Sequence, residues 1–163
     1  MKSPHAESKV VRWTRKNFPG DTEIIANCTA SLASKLAALG FDEKEKCAEG
    51  LSTQVNSQYF ERIGDGYLYY INIIFDKWGP LKFQVNFAAK EGHEPYKWIR
   101  AGSLSRDKKE DMSSRWWGAS WMNLSKEKAF LKAWTTLEEN IMAIVAFLLH
   151  GQTGALIADL RLD

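Results

Sequence analysis

The sequence predicts an α+β fold of two layers: an antiparallel β-meander of four or more strands, covered on one face by two or three helices. Three observations carry this. Apolar and polar residues alternate strictly from Leu81 to Ala88, the mark of a strand with one buried face. Tyr67–Phe75 is almost wholly aromatic or β-branched, as strands prefer. Two other segments place apolar residues three and four apart, which makes a single stripe along a helix.

The 163 residues suit one domain able to bury a sizeable core. With 45% hydrophobic and 26% charged residues the composition is that of a globular protein, which excludes intrinsic disorder. The longest apolar run, Ile141–Leu149, is too short for a bilayer span, so no membrane partner is expected. No apolar core follows the first basic residues, so a secretory leader is not expected either. Cys28 and Cys47 lack a C-x-x-C spacing and histidine neighbours. They read as reduced thiols, and the cytoplasm as the compartment.

Residues 1–20 read as a basic, loosely ordered arm closed by Pro19-Gly20, followed by a single α+β domain over 21–163. The arm sets Lys2, Lys9, Arg12, Arg15 and Lys16 against Glu7 alone, although the net charge of the chain is only +2. Such an arm can hold phosphate backbones or be a solvated leader.

Asp21 and Thr22 offer N-cap oxygens to a helix running to Leu39, with Ile25, Cys28, Leu32, Leu36 and Leu39 as its stripe and Gly40 as its stop. The charged stretch 42–50 reads as a solvated loop or short helical turn. Gln58–Ile63 reads as a strand, joined through the hairpin turn Gly64-Asp65-Gly66 to Tyr67–Phe75. Asp76–Pro80 turns the chain into Leu81–Ala88. Trp98–Leu104 reads as a fourth strand and 105–114 as an exposed excursion. Ser125 caps one final helix with Phe130, Trp134, Leu137, Ile141, Ile144, Val145 and Leu148 on its apolar face, ending at Gly151. The segment 152–163 fits a short strand or helix equally.

These residues resemble a known family. Leu39-Gly40-Phe41 closes a helix, Tyr59-Phe60-Glu61-Arg62 opens the sheet, and Tyr70-Ile71-Asn72-Ile73 and Phe83-Gln84-Val85-Asn86 follow. Trp98–Leu104 and Trp116-Trp117 complete the order. Together they resemble the bacterial domain of unknown function 4304 over residues 24–150, although the charged loop after Gly40-Phe41 is longer than that pattern implies. The resemblance implies an α+β fold and carries no catalytic residues, because the family has no established activity.

No catalytic signature stands out. The sequence holds no G-x-S-x-G, P-loop or G-x-G-x-x-G, so no cofactor is expected. His5, His93 and His150 have no partners at metal-ligand spacing, so no metal is expected. His150 at a helix end fits the helix dipole instead. Polar residues on the strands are more informative. Gln58, Arg62, Asn72, Gln84, Asn86 and Arg100, rimmed by Tyr69, Trp98 and Trp116, form a recognition surface if the register gathers them on one face. The plainer alternative is the solvent side of an ordinary antiparallel sheet. Of the adjacent Trp116 and Trp117, an extended segment exposes one.

The sequence therefore predicts a non-catalytic binding module for a protein partner or small ligand. The alternatives are a nucleic-acid binder using the basic arm and a hydrolase whose residues converge only in three dimensions.

Overall fold

The pattern between Tyr67 and Glu91 organises the whole structure. A computed structural model of the protein describes residues 7–92, 95–106, 112–120 and 122–160; Lys2, His5, His93 and positions 107–111 of the excursion, named above, lie outside them. Strands β2 (Ser57–Gly64), β3 (Tyr67–Asp76), β4 (Gly79–Glu91) and β5 (Lys97–Leu104) form an antiparallel meander. Three short strands extend it: β1 (Asp42–Glu43) beside β2, β6 (Trp117–Gly118) beside the start of β4, and β7 (Ile157–Asp159) beside β5. The tail 152–163, open from sequence, thus contributes a strand. Asp65 and Gly66, both with positive φ, make the tight β2–β3 turn, whose twist matches that of the strands it joins.

Helices α1 (Lys9–Asn17), α2 (Thr22–Ala37), α3 (Lys126–Glu139) and α4 (Ile141–His150) share one continuous hydrophobic cluster with the sheet. Leu81, Phe83, Val85 and Phe87 all point into it. The cluster is an aromatic lattice. Phe83 meets Phe130 and Trp134 edge-on at 5.7 and 5.1 Å, Phe75 stacks on Trp134 at 5.9 Å, and Phe87 meets Phe147 at 5.5 Å. Such geometries add to the area each ring removes from water.

Three expectations are corrected. The arm is not loose over its described part: Lys9–Asn17 is helical and buries Val10, Val11 and Thr14 against the core. The abundance of cations conceals this apolar face. The final helix is two helices, because Asn140 leaves helical geometry and its side-chain amide donates to the Thr136 carbonyl, a local bond that competes with helix continuation. Residues 42–50 are neither free loop nor helical turn throughout: Asp42–Glu43 joins the sheet, and a bridge between Lys46 and Ser52 folds the rest back.

Gly118 locks β6 against β4. Its φ is 108°, and a Cβ there would lie 2.3 Å from the Leu81 carbonyl oxygen. Gly118→Ala is therefore expected to cost at least about 2 kcal/mol, read as a lowered urea midpoint with unchanged slope. An unchanged midpoint would contradict this packing.

Candidate functional site

Cross-strand register decides which side chains share a face. Asn72 lies directly opposite Asn86, Ile74 opposite Gln84, and Trp98 opposite Lys90. These residues alternate with the core positions Ile71, Ile73, Phe83, Val85 and Phe87, so they occupy the outer face, opposite the four helices. Four of the nine residues singled out from sequence (Asn72, Gln84, Asn86 and Trp98) are thereby brought together.

The two arginines are not among them. Arg62 pairs with Tyr69 and Arg100 with Ala89, both on the helix side. Arg62 reaches the Leu39 carbonyl just beyond the end of α2, at 3.5 Å. Arg100 donates to the carbonyls of Phe147 and Leu148, at 3.2 and 2.8 Å, in the last turn of α4. Both place a cation where helix carbonyls lack partners and the dipole is negative. Sequence alternation puts Arg62 opposite in face to Glu61, but strand register is needed to say which face holds the helices. Gln58, another strand amide, also turns inward and donates to the Thr29 carbonyl and to Glu43.

The outer face has an aromatic end and an amide middle. At the aromatic end Tyr59, Tyr70 and Trp98 form a chain, with centroids 5.6 and 6.2 Å apart. The Lys90 ammonium sits 4.1 Å from the Trp98 ring centroid and 5.7 Å from that of Tyr70, and donates to Glu49 at 2.8 Å. Lys90 is only 9% exposed, a burial tolerated because ring faces and a carboxylate replace water. Glu61 lies beside it, and the Ala48 N–H donates to its Oε2 at 3.0 Å. The stretch from Lys44 to Asn56 is thus pinned over this end by Glu49 and Ala48. Residues 42–50 read as solvated from sequence; Lys90 and Glu61, on strands more than ten residues away, are what draw them in.

In the amide middle, Asn86 Nδ2 donates to Gln84 Oε1 at 3.4 Å. Asn72 Oδ1, buried beside them, accepts no hydrogen bond from the described residues. A buried acceptor without a donor costs free energy that an incoming N–H or O–H would recover.

Trp116 lies apart, across the start of β4, with the Lys82 ammonium 5.5 Å from its ring centroid. Trp117 is buried and donates its indole N–H to the Leu104 carbonyl, so the adjacent pair divides as the sequence predicts. Trp134 is core. Trp78, in the β3–β4 turn, is 80% exposed.

No family model matches the chain, and no curated protein or solved structure matches it. The reading of the site therefore rests on geometry and chemistry.

Among the described residues no group of three or more His, Cys, Asp or Glu side chains could hold a metal ion, and no helix is long and apolar enough to cross a membrane. Cys28 and Cys47 are free thiols. Burial pushes the Cys28 thiol up to about 11, far from thiolate reactivity. Neither Glu61, Arg62 nor Arg100 lines any of three clefts formed among the described residues. Glu61 is a carboxylate under a folded-back loop rather than one in a substrate cleft.

Burial raises the Glu61 pKa above its usual 4.5, against the opposing Ala48 hydrogen bond. The folded state therefore holds this proton more tightly than the unfolded state, and the carboxyl's contribution to stability falls as pH rises. Glu61→Gln is expected to leave stability little changed below pH 4 and to gain on wild type as pH climbs through 5 to 7. Parallel urea melts across that range check it; curves with a constant separation would contradict the buried-carboxyl account.

Proposed function

We propose that the protein is a non-catalytic recognition module that engages a partner protein through the outer face of β3, β4 and β5. The observation that carries this is the buried Asn72 acceptor, which has no donor among the described residues and is flanked by Asn86 and Gln84 on the sheet face opposite the four described helices. Side-chain amides both donate and accept, so they match backbone groups of an apposed chain. The half-exposed Trp98 supplies the kind of rigid aromatic contact that anchors interfaces. From Lys82 to Lys90 the face spans about 26 Å, at about 3.3 Å per residue, a length suited to an extended segment.

The nucleic-acid alternative draws less support. Arg12 pairs with Glu45 and Arg15 with Glu7, while the Lys9 ammonium donates to Thr53, so the arm's described cations are largely engaged within the chain. The hydrolase alternative draws no support from the three clefts described, none of which Glu61 lines. We propose the cytoplasm as the compartment, supported by the two unpaired thiols. Membership of the bacterial family 4304 belongs to the same proposal, resting on the Gly40-Phe41, Asn72 and Asn86 segments.

Affinity capture compares wild type with Asn86→Arg and Gln84→Arg on the outer face, and with Glu139→Lys on the helix side as control. The expected outcome is a stoichiometric protein partner lost by at least about ten-fold, or about 1.4 kcal/mol, in both outer-face variants and kept by the control. Equal recovery by all four proteins defeats the proposal.

A further inference from the structure

Residues 44–56 fold back as a unit of their own. The Thr53 N–H donates to the Glu45 carbonyl at 3.1 Å, and the Cys47 N–H donates to the Leu51 carbonyl at 2.9 Å. A bridge between Lys46 and Ser52 and the positive φ of Gly50 complete a small hairpin. Both of its ends are fixed to the sheet. At one, the Lys44 N–H donates to the Tyr59 carbonyl at 2.9 Å. At the other, Asn56 accepts from the Phe75 N–H at 2.8 Å and donates its side-chain amide to the Phe75 carbonyl at 2.6 Å.

Between these ends the hairpin is held down without core contacts. No residue of 44–56 is buried, none belongs to the hydrophobic cluster, and Leu51 and Val55 are exposed. The bonds that dock it are polar: Ala48 to Glu61, Glu49 to Lys90, Glu45 to Arg12 and Thr53 to Lys9. The sheet residues beneath are nevertheless covered, with Tyr59 and Glu61 both buried. Burial raises the pKa of Tyr59 and of Tyr70, and the Glu49 carboxylate adds to both shifts, so Glu49 lies close to the two rings.

We propose that this hairpin is a hinged strap, which swings off the sheet as a unit ahead of global unfolding and uncovers Tyr59 and Tyr70 beside Trp98. Segments with few buried apolar contacts open at the low end of a protein's stability range, and exposed ion pairs such as Arg12–Glu45 contribute little to holding them. Opening strands no charge. Lys90 keeps the ring faces of Trp98 and Tyr70, while Glu49 and Glu61 regain water. The bonds inside the hairpin survive the movement, which confines the backbone change to its two ends. The outer face then gains two phenol rings next to the half-exposed Trp98 indole, so the strap sets how much aromatic surface that face presents. This device stands on the strap's own contacts and holds whether or not the outer face engages a partner.

Its test is native-state hydrogen exchange of the full chain by NMR, paired with hydroxyl-radical footprinting of the tyrosines. In wild type the amides of Cys47, Ala48 and Thr53 are expected to be protected, yet to exchange at least about a hundred-fold faster than central amides of β3 and β4. Glu49 is exposed, so Glu49→Lys keeps the fold by circular dichroism while setting a second ammonium against that of Lys90. It is expected to speed the strap amides by at least about five-fold and to leave β3 and β4 unchanged, with Glu49→Gln falling between. Oxidation of Tyr59 and Tyr70 rises with it, while that of Tyr67, already exposed, does not. The proposal is overturned by strap amides that exchange as slowly as those of β3 and β4, or without protection. It is equally overturned by strap exchange, or oxidation of Tyr59 and Tyr70, that is the same in Glu49→Lys as in wild type.

Discussion

The period-two stripe along β3 and β4 is the constraint on which the rest depends. Ile71, Ile73 and Phe75 on one strand face Phe87, Val85 and Phe83 on the other, and each of these six is at most 1% exposed. A slip of one residue in either strand would send all three of its apolar side chains to the opposite face. The register therefore cannot drift without losing the surface on which Phe130, Trp134 and Phe147 pack. Because the ladder is fixed, so is the outer face: Asn72 must oppose Asn86, and Lys90 must lie beside Trp98. The polar surface is thus a geometric consequence of the core.

That dependence explains which parts were legible in the sequence. The strands from Gln58 to Leu104 and the helix from Thr22 are written in local periodicity, and they appear within a few residues of where the pattern puts them. Residues Lys9–Asn17 were obscured because their buried side, Val10 with Val11 and Thr14, is narrow and surrounded by cations. The break at Asn140 was obscured because apolar residues continue on both sides of it. The short strands β1, β6 and β7 have two or three residues each, too few for any periodicity. They exist only because a neighbouring edge offers unpaired backbone groups.

The candidate site was legible in part for the same reason. Asn72, Gln84 and Asn86 fall between core positions on strands of known phase, so alternation alone gathers them. Arg62 and Arg100 also sit on strands, yet they occupy core-side positions at the ends of the stripe, where a long side chain can leave the apolar region and reach Leu39, Phe147 and Leu148. A guanidinium on the greasy side of a strand is unexpected from pattern, and it is stable there because helix carbonyls replace the water it gives up. The folded-back stretch around Ala48 and Glu49 was invisible, since its highly charged composition is that of a solvated loop. Its docking depends on Lys90 and Glu61, whose proximity exists only after the meander has formed.

β4 is consequently the strand on which the proposed recognition face depends. Its odd positions from Leu81 to Phe87 are committed to the core, which leaves Lys82, Gln84, Asn86, Ala88 and Lys90 free of that duty. At the Lys90 end the cation is closed in by Trp98, Tyr70 and Glu49, so its charge is largely compensated. At the Lys82 end the cation rests on the Trp116 ring and shares a cleft with Asp21 and Asp76. One alternating segment thereby carries a row of amides between two cations that rest on indole rings, and it is this row that the proposed recognition face draws on. None of this requires a residue to leave the core.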